Sequence, residues 1–168
     1  MKRVEADAKE FRDLLKQNQG IIHKISALYS EESADKEDLF QEICLQLWRS
    51  YESFKSKAQF STWMYKVSLN TAISYTRKRS KWMRAETLYP ETEMPAVVDA
   101  GDERSRLLAQ AISRLNRIDK AMILLWLEGE SYEEIARIMG ITKSNVSVRL
   151  VRIKRDVGNT INGSGRPS

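Results

Sequence analysis

Apolar residues return every three or four positions along most of this chain, and no stretch alternates apolar with polar as a half-buried strand does. Residues 4–29 carry Phe11, Leu14, Leu15, Ile21, Ile22, Ile25 and Leu28, the pattern of one amphipathic helix or of a pair broken near Gly20. Ser30 to Lys36 is small and polar and predicts a loop, with Ser33 or Asp35 available to cap the next helix. From Lys36 to Phe54 the stripe is Phe40, Ile43, Cys44, Leu47, Tyr51 and Phe54. A loop over Lys55 to Gln59 follows, then a helix from Phe60 to about Trp82. Its stripe is Phe60, Trp63, Met64, Val67 and Thr71, widened by Leu69, Ala72 and Ile73. The pattern breaks between Ala85 and Asp102, where Pro90, Pro95 and Gly101 punctuate an acidic segment. It returns with Leu107, Leu108, Ala111, Ile112 and Leu115, and again with Met122, Leu125 and Trp126 before Gly129.

The last periodic stretch, Ser131 to Arg155, predicts two short helices joined by a tight turn. Ser131 suits an N-cap, and Glu134 three residues on completes a capping box. Ile135, Ala136 and Met139 share a face, and Gly140 can take the left-handed conformation that ends the helix. Thr142 can cap the second helix, which buries Val146, Leu150 and Ile153. Its other face carries Lys143, Ser144, Asn145, Ser147, Val148, Arg149 and Arg152. A small residue, a turn glycine and an acid-free basic second helix together describe a helix-turn-helix that reads DNA.

These patterns predict an all-α fold of two small helical domains: residues 1–84, an acidic flexible linker over 85–103, a four-helix domain over 104–157, and a disordered Gly/Ser/Asn-rich tail over 158–168. The charge sharpens this division. The net charge of +5 hides two basic clusters, five bases in Arg77 to Arg84 and five in Lys143 to Arg155, separated by a run of acids. Such an arrangement suits a polyanion touched at two places. Lys66, Asn70, Ser74, Arg77 and Lys81 form a polar stripe on the Phe60 helix that turns cationic toward its end, apt for phosphates and bases. On the preceding helix Asp38, Gln41 and Glu42 cluster opposite the apolar stripe.

Other chemistries lack the residues they require. The single Cys44 has no partner for an internal disulfide and reads as a buried structural thiol. His23 is the only histidine and lies among apolar neighbours at a core edge or surface, so a zinc site or a His-based triad has almost nothing to be built from. No metal, cofactor or enzymatic activity is expected. With no signal peptide and no apolar run near ~18 residues, the chain is expected to be soluble and cytoplasmic, in a reducing compartment.

Taken in order, a DLFQE helix, FSTWMYKVSLNTAISYTRKR, an acidic linker and a terminal YEEIARIMGITKSNVSVRLVRIKR resemble a bacterial RNA polymerase sigma factor of the extracytoplasmic function (ECF) group, over about residues 8–157. The resemblance implies binding of core RNA polymerase and of promoter DNA, promotion of transcription initiation and no catalysis. It implies that Asp38, Gln41 and Glu42 dock on the polymerase. It assigns Phe60, Lys66, Asn70, Ser74, Arg77 and Lys78 to the −10 element, where a flipped base enters a pocket formed largely by the loop Lys55 to Gln59. Lys143, Ser144, Asn145, Ser147, Val148, Arg149 and Arg152 would meet the −35 element, with Ser144, Asn145, Val148 and Arg149 toward base edges and Lys143 and Arg152 on phosphates. An anti-sigma factor clamping the two domains is likewise expected from the family. So is a linker threading the polymerase as a nucleic-acid mimic.

The chain departs from the family at several positions. Lys66 and Val67 stand where primary sigma factors carry a tryptophan pair, implying a weaker duplex wedge and dependence on a well-matched promoter. Ser74 replaces a common Asp, and Asn116 a common Pro at a helix start. The rival reading is a helix-turn-helix regulator binding duplex DNA as a dimer; the DLFQE patch and the base-capture loop argue against it.

Overall fold

The computed structural model describes residues 2–54, 59–86 and 102–164. The linker segment 87–101, the base-capture loop apart from Gln59, and the last four residues lie outside them. Seven α-helices and one 3-10 turn make up the described residues, with no strand among them. The chain divides into two compact units, Met1–Glu91 and Thr92–Ser168.

The first unit is a three-helix bundle of α1 (Lys2–Tyr29), α2 (Ser33–Ser50) and α3 (Phe60–Glu86), each packed on the other two, with the 3-10 turn Tyr51–Ser53 closing α2. Its core joins Ile22 and Ile25, Leu39, Ile43 and Leu47, and Met64, Leu69 and Ala72, all fully or nearly fully buried. The α1 pattern resolves as a single helix. Gly20 lies within it with open space where a side chain would be, so the residue permits continuity without any packing demand. The cap of α2 is Glu32, whose side chain makes no capping bond; Ser33 and Asp35 both lie inside the helix.

The buried line of α2 is Leu39–Ile43–Leu47, while Phe40 and Cys44 are half-buried. The predicted stripe therefore shares Ile43 and Leu47 with the buried line and differs at its start, where Leu39 and not Phe40 points inward. Leu39 and Phe40 are adjacent apolar side chains about 100° apart on a helix, and only the neighbouring helices decide which of them points inward. Phe40 instead stacks on exposed His23, ring centroids 4.6 Å apart. The core line of α3 is likewise Met64, Tyr65, Ser68, Leu69 and Ala72, with Phe60, Trp63 and Val67 at its edge. There Phe54, Phe60 and Trp63 form an aromatic cluster, and Phe54 meets Phe60 edge-to-face at 5.6 Å across the two ends of the loop between α2 and α3.

The second unit comprises α4 (Glu103–Ser113), α5 (Arg117–Leu127), α6 (Tyr132–Met139) and α7 (Lys143–Ser164). Each start has a capping side chain. Asp102 accepts from the Ser105 N–H, Asn116 from Ile118 and Asp119, Ser131 from Glu134, and Thr142 from Asn145. Two helices end on left-handed glycines, Gly129 (φ 86°) and Gly140 (φ 69°). At each, the residue beyond the glycine donates back to the last turn: Glu130 to Leu125 and Ile141 to Ala136, both at 3.1 Å. Helix α7 packs against α4, α5 and α6 and buries Val146, Leu150, Ile153 and Val157.

The expected tail is corrected over half its length, because α7 runs on through Gly158 to Ser164. Buried Val157 anchors the helix at the boundary, the Thr160 hydroxyl bonds back to the Asp156 carbonyl at 3.0 Å, and Ile161 stays half-buried. Extending a formed helix fixes one residue per added bond, so glycine and polar composition alone do not stop it.

Candidate nucleic-acid and partner surfaces

On α2, Asp38 and Gln41 are exposed, as the sequence predicts, and Glu42 is half-buried with its Oε1 accepting from Gln46 Nε2 at 2.8 Å. Beside them lie two residues that the sequence reading did not place on this face, Leu45 (41% exposed) and Trp48 (44%). Positions 38, 41, 45 and 48 follow helical spacing, which was the available signal. Trp48 is supported from beneath by Phe11, ring centroids 5.2 Å apart. Two exposed apolar side chains next to the carboxylates of Asp38 and Glu42 have the composition of an interface.

On α3, Lys66, Asn70, Arg77 and Lys78 are exposed and Ser74 is half-buried; Lys66, Asn70, Ser74 and Arg77 share one face. Phe60 is held in the aromatic cluster and half-buried, so it supports the loop end as much as it faces outward. The side chain of Lys81 lies outside the described residues. Arg79, counted with the basic cluster in the sequence, turns the other way and pairs with Asp35 of α2. Burial alone would lower the Arg79 guanidinium; its bond to Asp35 and that carboxylate's charge outweigh the burial and hold it above its ordinary value. Together with Tyr29, Ser30, Glu31, Tyr75 and Thr76 the pair lines a cleft of about 100 Å³.

On α7, Lys143, Ser144, Asn145, Val148 and Arg152 are exposed and Ser147 and Arg149 half-buried, so every residue of the predicted set reaches solvent. Its cations are not free. Lys143 pairs with Glu133 of α6, and that bond, with Lys143's charge, keeps the Glu133 carboxyl below its usual range. Arg149 and Arg152 converge on Asp119 of α5, a buried carboxylate that the sequence analysis does not single out. Two valines stand out of this polar surface: Val148 at 73% exposure and Val151, absent from the predicted set, at 62%. Lys154 lies over the Trp126 ring, 4.8 Å from its centroid.

Among the described residues no group of three or more His, Cys, Asp or Glu side chains could hold a metal, and no helix is long and apolar enough to cross a membrane. Cys44 is a half-buried thiol whose pKa burial pushes up, which disfavours the nucleophilic thiolate.

The sequence matches Sigma-70 region 2 over residues 14–81 and Sigma-70, region 4 over residues 105–157. It is 28% identical over 171 residues to an ECF RNA polymerase sigma-E factor of Haemophilus influenzae, covering 94% of this chain and 90% of that protein. The sigma-E factor of Escherichia coli strain K12 is 28% identical over 173 residues, covering 94% and 89%. Among solved structures, the fold resembles the sigma factor RpoE in its complex with the anti-sigma factor NepR from Bartonella quintana, with a TM-score of 0.74, 20% identity and coverage of 94% of this chain and 99% of that one. It also resembles CnrH in complex with the cytosolic domain of CnrY, with a TM-score of 0.67, 17% identity and coverage of 95% and 94%.

Proposed function

The chain belongs to the sigma-70 family of RNA polymerase sigma factors, in its ECF group, and from that premise we propose how its surfaces divide the work of transcription initiation. Sigma factors are regulatory proteins rather than enzymes, so the work is binding. The α2 face of Asp38, Gln41 and Glu42, extended by Leu45 and Trp48, docks on core RNA polymerase: carboxylates orient the encounter and the apolar pair supplies the desolvated centre. The α3 face of Lys66, Asn70, Ser74, Arg77 and Lys78 meets the −10 element. Phe60 and Phe54 clamp the ends of the loop that receives an unpaired base, which favours the melted strand over the duplex. Helix α7 enters the major groove at the −35 element, with Ser144, Asn145, Val148 and Arg149 toward base edges and Lys143, Ser147 and Arg152 closer to the backbone.

The observation that carries this reading is the pairing of two polar, largely basic helix faces, each on its own helical unit, with an acidic–apolar face that DNA would repel. Contact with polymerase and promoter assigns the protein to the cytoplasm. An anti-sigma factor fits as its regulator, as NepR is the anti-sigma factor bound to the sigma factor RpoE. The experiment is run-off transcription with core polymerase on genomic fragments, followed by mapping of the start sites. Discrete transcripts that require the protein, with shared −35 and −10 sequences, are expected. No added transcript at any promoter, with DNA binding retained as a dimer, would overturn it in favour of an ordinary helix-turn-helix regulator.

A further inference from the structure

Asp119 is an ionisable residue buried at a helix start, 5% exposed, in the middle of the DNA-reading unit. Its Oδ2 accepts from Asn116 Nδ2 at 2.7 Å and from Arg152 Nη2 at 3.1 Å. Its Oδ1 has Arg149 Nε at 3.2 Å as an ionic neighbour, outside hydrogen-bond geometry, and makes no hydrogen bond of its own. A buried carboxylate left unpaired would be costly, so these arginines neutralise it; it equally fixes them. Both arginines reach up from α7 with half or less of the side chain exposed, whereas Arg155 on the same helix is 68% exposed.

We propose that Asp119 is a positioning residue for promoter selectivity: it holds Arg149 and Arg152 in one arrangement and cancels one of their two charges, so that α7 grips DNA weakly until the correct base edges are presented. This rests on the reading of α7 as the −35 helix. Arg149 contacts Asp119 through Nε and Arg152 through Nη2, so each guanidinium fork keeps further N–H groups for a base or a phosphate. An arginine fixed before binding loses less rotamer freedom when it meets a guanine edge, and that gain accrues only where the edge matches. A free arginine can follow any phosphate and favours every sequence alike. Asn116 belongs to the device: it caps α5 through Oδ1 and orients the carboxylate through Nδ2, which a proline at this position could not do.

The test uses the full chain assembled with core polymerase, on the promoter mapped by run-off and on the same promoter with its −35 element scrambled. Asp119→Asn is expected to bind the scrambled site as well as or better than wild type. It should reduce the ratio of the two affinities at least about fivefold and steepen the slope of log K against log salt by up to about 0.9, one phosphate's worth of counterion release. Asp119→Glu, which restores the charge, is expected to return the wild-type slope and most of the ratio. Equal weakening at both sites, or an unchanged ratio and slope, would make Asp119 merely structural and overturn the proposal. In the free wild-type protein, NMR of the arginine Nε–H groups should find restricted guanidinium rotation at Arg149 and Arg152; fast rotation at both would overturn the proposal even if Asp119→Asn fails to fold. Arg149→Ala and Arg152→Ala separate the two levels. If neither lowers the affinity ratio, the −35 assignment of α7 itself fails. If either does while Asp119→Asn changes nothing, only the role of Asp119 falls.

Discussion

The same substitution should act with opposite sign at two glycines of the second unit, Gly140 and Gly158. Gly140 sits in the left-handed region at φ 69°, and a Cβ added there would meet nothing within 4 Å. The cost of Gly140→Ala is therefore conformational and not steric: about 1–2 kcal/mol for an L residue in that region, offset by roughly 0.4–1 kcal/mol from a stiffer unfolded chain. A net loss of about 1 kcal/mol is expected, or about 4–8 °C in the melting temperature of a unit this small. Gly158 lies inside α7, also with open space around its Cβ position. Gly158→Ala should gain about 0.5–1 kcal/mol and raise the same transition by a few degrees. Differential scanning calorimetry of the full chain measures both, with Leu150→Ala, which empties a fully buried site, identifying the peak that belongs to this unit. Gly140→Ala melting at or above wild type would refute the left-handed turn. A neutral Gly158→Ala would refute the extended helix.

Reversing charge at Asp38 and Glu42 together to lysine should abolish binding to core polymerase in pull-down while leaving the circular dichroism melt within a few degrees of wild type; retained binding would remove these residues from the interface. Val148 and Val151 project methyl groups from α7, so replacing thymine by deoxyuridine in the −35 element should weaken holoenzyme binding about 3–10-fold at one or two positions, the effect vanishing in Val148→Ala or Val151→Ala. Glu130 has its pKa raised above 4.5 by burial and then by Glu134 and Glu128. A raised carboxyl binds its proton more tightly in the folded state, so it lowers stability as pH rises through that range. Glu130→Gln should thus raise the melting temperature at pH 7 and change little near pH 4; the reverse order would contradict the assigned cause.

The parts of the fold that residues specify locally were legible in the sequence. Ser131, Thr142 and Gly140 act within one turn of themselves, and each has the role that its position predicted. The features that escaped depend on partners distant in the chain. Leu39 takes the core position that Phe40 was expected to hold because α1 and α3 fix the rotation of α2. Arg79 leaves the basic cluster for Asp35, 44 positions away, and Asp119 binds Arg152 across 33 positions. An aspartate with apolar neighbours two turns long gave a hint of burial, but charge patterning alone treats every acid as solvated. The solvent-facing polar set on α7 was legible in the sequence. Which of its cations are restrained was not, since that is decided by the helix beneath.

The order of packing in the second unit also bears on how the protein is made. Helix α7 contacts α4, α5 and α6, so it is the piece that closes the unit, and it leaves the ribosome after the three helices it packs on. The first unit has all three of its helices once residue 86 has emerged and can fold while the rest is still being translated. A nascent chain stopped before Val146 would carry a complete first unit beside three helices with no lid over their apolar faces, a ready target for proteases. Ribosomal order thus places the α2 and α3 faces ahead of the α7 face. A product truncated before α7 would be marked for removal by its own exposed core.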